Sequence, residues 1–395
     1  MKTIYLDNNA TTAVAPEVVE AMQPFFRDHW GNPSSMHVFG GQVKHHVDRA
    51  REQVAALINA DPSEIIFTSC GTESDNMAIR GAAEAAGTRF NVVTTRVEHP
   101  AVMGPCRYLG ERGHRLHEIG VDAAGQLDMV QLGAALRDGP AIASVMWANN
   151  ETGVIFPIDG VASMVKASGG VMHSDAVQAV GKLPINVKKL PVDMLSLSGH
   201  KLHAPKGIGA LYVRKGTRLQ PFMLGGHQED NRRAGTENVP YIVGLGRAAE
   251  LAGESMVRET TVVASLRDRL EAGLLAACPD TRVNGDRMNR LPNTTNISFE
   301  YIEGEAILLT LSDVGIAASS GSACTSGSLE PSHVLRAMGV PFTAVHGSVR
   351  FSLSRFTTRE EIEYTITQIP PIIAKLRSMS PFGKGQFGNF TGLSH

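Results

Sequence analysis

The sequence predicts an α/β fold, with a large domain built on a mostly parallel sheet and a smaller α+β domain. Two observations support this prediction. Short apolar or β-branched runs alternate with helical patterns through the first two thirds of the 395 residues, as in parallel sheets covered by helices. The alternation stops near residue 255, where a long helix precedes more widely spaced strands. We therefore expect a large domain at residues 14–255 and a small domain formed by residues 1–13 together with 256–395.

Each element is predicted from its local pattern, with period two for strands and apolar residues at helical spacing for helices. The predicted strands of the large domain are residues 65–68, 91–95, 142–147, 170–174, 194–198 and 209–213. Its predicted helices are residues 16–26, 43–58, 73–86, 101–111, 129–135 and 158–167. The small domain is predicted to hold helices at 257–277, 304–311 and 358–378, strands at 295–299 and 349–354, and a poorly ordered tail at 381–395.

Composition and charge exclude several classes of protein. The chain is 43% hydrophobic and 19% charged with a net charge of −2, so no overall field favours nucleic acid or an acidic membrane. No apolar stretch approaches the ~20 residues that span a bilayer, and the N-terminus lacks the pattern of a signal peptide. The 4 cysteines form no CxxC pair, so neither a zinc site nor a disulfide framework is expected. We expect a cytoplasmic protein that binds neither nucleic acid nor membranes.

A run of small residues at 317–328 (AASSGSACTSGS) carries a single cysteine, Cys324. Because no large apolar side chain anchors it, the run predicts a mobile loop that can carry a thiol between positions. By itself, such a run is most often a plain linker, and a lone cysteine is most often a small buried hydrophobic residue. The loop becomes informative if the rest of the chain supplies chemistry that needs a mobile thiol.

Lys201 lies in the segment SGHK, directly after the predicted strand 194–198. Ligands bind beyond the carboxyl ends of parallel strands, and the small and polar residues Ser198, Gly199 and His200 suit a phosphate there. A lysine in this place can form a Schiff base with an aldehyde cofactor. The alternative for an isolated SGHK is an ordinary surface lysine.

Asp175 comes at the end of another predicted strand. A carboxylate there can hold a pyridinium nitrogen protonated and so make the ring an electron sink. Gln178, shortly after it, can hydrogen-bond a ring hydroxyl. The alternative for Asp175 is a carboxylate in a turn.

Polar residues also follow three other predicted strands. The segment CGTES opens a helix, and its backbone N–H groups with the Thr72 hydroxyl form an anion site; the alternative is a simple N-cap. His99 can stack on a cofactor and move protons, or is only a loop histidine before Pro100. Asn150 can reach a cofactor or substrate, or belongs to a turn. Such sites at successive strand ends favour one shared ligand.

Together, these motifs give the chain a family resemblance that covers nearly its whole length. It resembles the cysteine desulfurases of the NifS/IscS group, which are class-V aminotransferase-like enzymes with the fold-type-I architecture of pyridoxal-phosphate-dependent transferases. The resemblance implies a large domain with a seven-stranded, mostly parallel sheet, pyridoxal 5′-phosphate (PLP) as cofactor and L-cysteine as substrate. The segments that carry it are YLDNNATT, FTSCGTESDN, VEHPAV, NNETG, HSDAVQAVGKLP, SGHKLHAPKGIGALYV, RRAGTEN, SSGSACTSGSLEPSHVLRAMG and SVRFSLSRFTT.

The resemblance also implies a role for each candidate residue around the cofactor. Lys201 would bind PLP as a Schiff base, and His99 would stack on the ring and transfer protons. Asp175 would pair with the ring nitrogen and Gln178 with the ring oxygen. The remaining cofactor contacts would come from Gly71, Thr72, Asn150, Ser198, Gly199 and His200.

Three further implications concern the substrate and the partners. Asn150 and Arg350 would bind the substrate, with Arg350 forking onto its carboxylate, for which a guanidinium is well suited; the alternative for Arg350 is a surface ion pair. Thr236 would reach the phosphate in the neighbouring subunit, so a homodimer is implied. Cys324 would attack the substrate sulfur as a thiolate and keep it as a persulfide, with His99 as one candidate to take its proton.

The sulfur acceptor would be an iron–sulfur scaffold protein. Transient ligation of a cluster by Cys324 is compatible with thiolate chemistry, whereas no intrinsic metal site is expected. The opening YLDNNATT and the ending GNFTGLSH favour the nitrogen-fixation branch over the housekeeping branch, whose bacterial members end in an acidic and aromatic tail.

Two other classes of protein remain as alternatives. An aminotransferase or a C–S or C–Se lyase of the same fold would use Lys201 and Asp175 without needing Cys324. A sulfur-carrier or scaffold protein would keep the fold without the cofactor.

Overall fold

The computed structural model describes residues 3–87, 89–320 and 331–381. The strands are β1 (Ile4–Tyr5), β2 (Ile65–Thr68), β3 (Asn91–Thr95), β4 (Arg115–Ile119), β5 (Ala141–Ser144), β6 (Val171–Asp175), β7 (Met194–Ser198), β8 (Gly209–Val213), β9 (Thr281–Val283), β10 (Thr294–Phe299), β11 (Ile316–Ala317) and β12 (Ser348–Ser352).

The α-helices are α1 (Pro16–Met22), α2 (Pro24–Arg27), α3 (Val38–Ile58), α4 (Gly71–Ala86), α5 (Pro100–Glu111), α6 (Met129–Leu136), α7 (Ile158–Ala167), α8 (Val239–Glu254), α9 (Met256–Arg258), α10 (Ala264–Ala277), α11 (Gly304–Asp313), α12 (His333–Ala337), α13 (Phe342–Val345) and α14 (Arg359–Met379). Short 3-10 turns are found at Pro62–Glu64, Gly199–Lys201 and Gln228–Asn231, and a π-helical turn at Glu259–Val263 joins α9 to α10.

The central sheet has seven strands in the order β2-β8-β7-β6-β5-β3-β4. Neighbours from β7 to β4 pair in parallel, whereas β8 pairs antiparallel with both β2 and β7. This arrangement confirms the predicted mostly parallel sheet. Because β5, β6 and β7 are adjacent and parallel, the residues that follow them meet at one edge of the sheet.

Four buried strands have the bounds that the sequence predicts, whereas β1, β4, β9 and β11 were not predicted. β2, β3, β7 and β8 coincide with the prediction, and β5 and β6 differ from it only at their ends. β4 was not predicted because it lies at the sheet edge and is only partly buried, so its residues (RLHEI) mix charged with apolar side chains. A partly exposed strand lacks the continuous apolar run that marks a fully buried strand such as β2.

Helix bounds differ from the prediction where local chemistry interrupts or extends a pattern. The predicted helix 16–26 is divided into α1 and α2. α3 begins earlier than residue 43 because the Nδ1 atom of His37 accepts a hydrogen bond from the Gly40 N–H at 3.0 Å and caps the helix. The predicted helix 257–277 contains the π-helical turn.

Helix α8 was not predicted, and its glycines explain why. Glycine lowers helix propensity, so this segment reads weakly as a helix. The glycines allow close packing instead: a Cβ atom on Gly246 would lie 2.6 Å from the Cα atom of Ala50 in α3. Tertiary contact therefore decides the structure of this segment.

The N-terminal segment and the C-terminal part of the chain share a second hydrophobic core. β1 pairs in parallel with β11, and Leu6 is buried with Phe299 and Phe351 in a cluster separate from the cores that flank the central sheet. Val334 and Leu335 of α12, by contrast, pack against the larger core. The domain boundaries at residues 13 and 255 stay a prediction.

None of the helices in the described ranges is long and apolar enough to cross a membrane. Within the same ranges, no group of three or more His, Cys, Asp or Glu side chains is placed to hold a metal ion. Cys324 belongs to residues 321–330 and most of the predicted tail to residues 382–395, both of which lie outside the described residues.

Candidate active site

A cavity of about 380 Å³ lies beyond the carboxyl ends of the central strands. It is lined by residues that follow the central strands together with residues of the N-terminal segment and of β12. The predicted residues that line it are Gly71, Thr72, His99, Asn150, Asp175, Gln178, Ser198, His200, Lys201 and Arg350. The structure therefore brings together most of the residues that the sequence predicted.

Lys201 is held at the cavity by the turn that follows β7. Its Nζ atom donates hydrogen bonds to the backbone carbonyl of Asn9 and, at 2.7 Å, to that of Ala10. Burial, followed by the nearby charges of Lys182 and Arg350, lowers the pKa of Lys201 to about 7. A large fraction of this amine is therefore neutral, and nucleophilic, near neutral pH.

Asp175 ends β6 and is buried. Its Oδ1 atom accepts a hydrogen bond from the Val177 N–H at 2.9 Å. Burial raises the pKa of Asp175, while that hydrogen bond and the nearby His99 and Lys201 act in the opposite direction. A cation in the cavity would favour the ionised carboxylate in the same way.

Gln178 lies between two other polar groups at the cavity wall. Its Nε2 atom donates to the Asn9 carbonyl at 2.9 Å, and its Oε1 atom accepts from the Lys182 ammonium at 3.1 Å. The amide orientation is therefore fixed from both ends.

His99 caps the N-terminus of α5. Its Nδ1 atom accepts a hydrogen bond from the Ala101 N–H at 3.2 Å, which places the ring at the cavity. Burial lowers the pKa of His99. The imidazole is therefore neutral at neutral pH, with Nδ1 as the acceptor.

One end of the cavity has the features of an anion site. The N-terminus of α4 opens there at Gly71 and Thr72, and a helix start of this length offers free N–H groups. The buried hydroxyl of Ser198 has no hydrogen-bond partner among the described residues. A Cβ atom at Gly71 would lie 2.9 Å from Val177, so glycine is needed to keep this end open.

His200 lies beside the same end of the cavity. Its Nδ1 atom is 3.2 Å from the Thr11 hydroxyl. Burial, followed by the charge of Lys201, lowers the pKa of His200 to about 4. The ring is therefore neutral at neutral pH.

Arg350, on β12, also lines the cavity and is almost fully buried. Its guanidinium donates to Asp7 Oδ1 at 2.7 Å and to the Asn150 carbonyl at 3.0 Å. Its Nε atom is buried without a partner in the part of the chain that the structure describes. The contact from Asn150 to Arg350 is made by its backbone carbonyl, and its predicted side-chain roles stay predictions.

Two predicted residues of the described ranges do not line this cavity, and a third lies outside those ranges. Gly199 is buried under Ile208, where a Cβ atom would meet a side-chain atom at 2.7 Å, so it serves close packing. Thr236 is exposed and is not among the residues that line the cavity of its own chain. Cys324 lies outside the described residues.

The sequence reasoning missed several residues that the structure places at the site. Asp7, Asn9 and Asp75 all line the cavity, although only their motifs YLDNNATT and FTSCGTESDN had been noted. The signal was a cluster of small polar residues in an N-terminal segment of otherwise unassigned role. Cys70 also lines the cavity.

Asp75 lies behind the site in a buried polar network. Its Oδ1 atom is 3.6 Å from the Nε2 atom of His173 and has no hydrogen-bond partner among the described residues. Burial, followed by the charge of Asp175, raises the pKa of Asp75 well above its usual value. Burial lowers the pKa of His173 to about 3. Burial thus disfavours the charged forms of both Asp75 and His173.

A lysine amine, a strand-end carboxylate and an anion site around one cavity define a fold-type-I enzyme site. The chain belongs to the Aminotransferase class-V family, whose profile matches residues 4–365. It is 59% identical over 386 residues to the cysteine desulfurase NifS of Azotobacter vinelandii, covering 98% of this chain and 96% of that protein. It is also 59% identical over 390 residues to a cysteine desulfurase of Trichormus azollae, covering 98% and 97%.

Solved structures give the same result. A NifS-like protein superposes with a TM-score of 0.89 at 38% identity, covering 95% of this chain and 100% of that one. A structure titled SspA in complex with cysteine superposes with a TM-score of 0.79 at 33% identity, covering 90% and 99%. The fold and the family are therefore established over almost the whole length.

The residues at the cavity fit PLP, the cofactor of class-V cysteine desulfurases. The unpartnered Ser198 hydroxyl and the start of α4 suit its phosphate, since both offer free donors in a buried place. The amine of Lys201 suits its aldehyde, and the carboxyl of Asp175 suits its ring nitrogen.

Proposed function

We propose that this chain is a PLP-dependent cysteine desulfurase that converts L-cysteine and the Cys324 thiol into L-alanine and a Cys324 persulfide. One observation carries the proposal: a chain 59% identical to cysteine desulfurases joins the Lys201 amine, the Asp175 carboxyl and an unpartnered Ser198 hydroxyl in one cavity. When bound, PLP withdraws electrons from the amino acid and so weakens its C–S bond.

Asp175 and Lys201 hold the charges and protons that this chemistry needs. Asp175 would bind the ring nitrogen of PLP and favour its protonated form. Lys201, whose pKa is about 7, serves as the covalent anchor and then as a base or acid near neutral pH, because both of its protonation states are populated there.

His99 is the second group able to move a proton at the site. Its lowered pKa makes the ring neutral, so it can accept a proton from a thiol. Its Nδ1 atom is occupied by the Ala101 N–H, which leaves Nε2 for the substrate or for Cys324.

Arg350 binds the substrate carboxylate. Its guanidinium is already oriented by Asp7 and the Asn150 carbonyl, and its unpartnered Nε atom has hydrogen-bonding capacity left. A fixed guanidinium loses little side-chain entropy when it binds a carboxylate in a bidentate manner.

The described residues on either side of 321–330 are held in the neighbourhood of Arg350. Ser319 exchanges two backbone hydrogen bonds with Arg350, at 2.6 and 3.3 Å. On the other side, the Ser332 hydroxyl donates to Glu151 Oε2 at 2.5 Å. These two anchor points near the substrate arginine support the delivery of the Cys324 thiol to the substrate sulfur.

We further propose a homodimer in which Thr236 contacts the phosphate in the neighbouring subunit. Thr236 is exposed and does not line its own cavity. Large exposed apolar side chains are concentrated at residues 26–39, among them Trp30 at 71% and Met36 at 102% exposure. Such exposure is typical of a surface that another chain covers.

In this proposal, the persulfide sulfur is passed to an iron–sulfur scaffold protein and serves nitrogenase maturation. The support is the name NifS of the Azotobacter vinelandii relative. A cytoplasmic location fits the free thiols of Cys70, Cys106 and Cys278, since a reducing compartment keeps cysteines unpaired.

The deciding experiment is mass spectrometry of the Cys324 peptide after incubation of the PLP-loaded enzyme with L-cysteine. The proposal expects one added sulfur on Cys324, together with alanine, and loss of both in Cys324→Ala and Lys201→Ala variants. Cys106→Ala is the matched control, because Cys106 is buried and burial raises its pKa to about 12. Full alanine and sulfide production by Cys324→Ala would instead favour a lyase of the same fold.

A further inference from the structure

Lys182 is a buried lysine whose place in the fold the proposed function leaves unexplained. It is only 7% exposed, and a lysine is almost never buried to this extent unless it is paired or has a task. Its Nζ atom donates to the backbone carbonyl and to the Oε1 atom of Gln178, both at 3.1 Å.

A lysine ammonium has donors and no acceptor, whereas a glutamine amide has one end of each kind. The hydrogen bond from Lys182 therefore forces the oxygen end of the Gln178 amide to face Lys182. The nitrogen end must then point the other way, and it donates to the Asn9 carbonyl at 2.9 Å.

The Asn9 carbonyl also accepts a hydrogen bond from the Lys201 amine. Three hydrogen bonds thus run in series from Lys182 through Gln178 and the Asn9 carbonyl to Lys201. An amide free to turn over would present its oxygen to the Asn9 carbonyl and push that carbonyl away from Lys201.

We propose that Lys182 is a positioning residue for Lys201, acting through the Gln178 amide and the Asn9 carbonyl to aim the Lys201 amine at an incoming aldehyde. This inference rests on the proposed use of PLP. Capture of the aldehyde forms a C=N bond between its carbon and Lys201 Nζ, and the aldehyde oxygen leaves as water with two hydrogens from the amine.

The charge of Lys182, like its hydrogen bond, favours the reaction of the Lys201 amine with an aldehyde. After burial, Lys182 is the largest cause that lowers the pKa of Lys201 to about 7, and only the neutral amine attacks an aldehyde. The Glu259 carboxylate, which has a buried oxygen without a partner among the described residues, faces Lys182 and opposes the fall in the pKa of Lys182. The charged or titratable groups that bear on the two lysines include Asp7, His99, Asp175, His200, His203, Glu259 and Arg350.

The test measures how fast the PLP-free full-length enzyme captures added PLP between pH 5.5 and 9, followed by absorbance. Wild type is expected to give a midpoint near pH 7, set by Lys201. In Lys182→Met, loss of a nearby positive charge raises the pKa of Lys201, so the midpoint moves up by about half a unit and capture at pH 6 is about threefold slower. The plateau rate at high pH also falls, because the amine is no longer aimed.

Two comparisons identify the route of this effect. Lys188→Met removes an exposed lysine that pairs with Asp61 at 2.9 Å, and it is expected to leave the midpoint and the plateau unchanged. In a Gln178→Leu background, the further change Lys182→Met is expected to cause no additional loss of plateau rate, since the intermediate link is already gone.

Folding is checked by circular dichroism. The double variant Lys182→Met with Glu259→Gln serves as a second variant, because it leaves no buried carboxylate without its charge partner. A folded variant of either kind with the plateau rate of wild type overturns the inference, and so does a plateau loss that persists undiminished in the Gln178→Leu background. If wild type itself captures no PLP, the proposed function fails. Capture by wild type with no effect of Lys182→Met refutes the role of Lys182 alone.

Discussion

At the scale of single residues, the site depends on buried polar atoms that have no partner within the protein. The Ser198 hydroxyl and the Nε atom of Arg350 are such atoms among the described residues. A buried polar group without a hydrogen bond costs free energy, and a bound phosphate or carboxylate removes that cost. These atoms therefore mark the two ends of the ligand site.

Replacement of Ser198 by alanine is expected to weaken PLP binding by about tenfold, since a hydrogen bond to a charged group contributes on the order of 1.5 kcal/mol. The measurement is an absorbance titration of the PLP-free enzyme. The control is Ser378→Ala, whose exposed hydroxyl donates to the Lys375 carbonyl far along α14. Equal affinities in the two variants would contradict the assignment of Ser198 to the phosphate.

Glu98 makes the stability of the protein depend on pH. It is fully buried, its Oε1 atom accepts from the Met146 N–H and the Thr95 hydroxyl, and burial raises its pKa from 4.5 to about 8. Between these values the folded chain holds a proton that the unfolded chain has released. Unfolding therefore releases a proton, and the free energy of unfolding falls as the pH rises through this window.

Glu98→Gln is expected to remove this part of the pH dependence, because the amide has no proton to lose. Chemical unfolding is measured at pH 5.5 and at pH 8. Between these pH values the free energy of unfolding should fall by on the order of 2 kcal/mol more in the wild type than in the variant. Glu20→Gln, at an exposed position, is the control and should follow the wild type. Parallel losses in Glu98→Gln and wild type would show that Glu98 is ionised in the folded protein.

At the scale of elements, helix α8 depends on glycine for its contact with α3. A methyl group on Gly246 would lie 2.6 Å from the backbone of Ala50, a distance that forces the two helices apart. Gly253 is on the same helix, and its nearest neighbour would be Leu57 at 3.9 Å, an ordinary contact. The two positions thus differ in packing while they share the same helix.

Gly246→Ala is expected to lower the free energy of unfolding by about 1–3 kcal/mol through overpacking. Gly253→Ala should instead raise it by up to about 1 kcal/mol, because alanine is the better helix former. Urea unfolding of both variants provides the measurement. If both Gly246→Ala and Gly253→Ala stabilised the protein, α3 and α8 would be able to move apart with little loss of free energy.

At the scale of the whole molecule, the proposed dimer explains why a large apolar surface near residues 26–39 is exposed in a single chain. Trp30→Asp is expected to shift the protein towards monomers and to weaken PLP binding, because Thr236 of the second chain is then lost from the site. Analytical ultracentrifugation and a PLP titration measure the two effects. Phe342→Asp, at another aromatic residue with 74% exposure, is the control.

A Trp30→Asp variant that sediments as the wild type does would refute the placement of the interface. A wild-type protein that is monomeric and still binds PLP tightly would refute the dimer and the role of Thr236.

The sequence by itself determined the alternating α/β pattern, the bounds of the buried strands and the polar residues that follow them, such as Asp175 and Lys201. These features are local, since an apolar run and the residue that ends it are neighbours in the chain. The sequence likewise failed where local signals are weak, as in the edge strand β4 and the glycine-containing helix α8.

Only the tertiary structure decided which distant residues meet and which protonation states they adopt. Asn9 contacts both Gln178 and Lys201, and Asp7 contacts Arg350, although these pairs are far apart in the chain. The pKa of Lys201 falls to about 7 because of burial and the charges of Lys182 and Arg350. Burial and charge proximity arise from packing in three dimensions, and the local pattern of a sequence does not encode them.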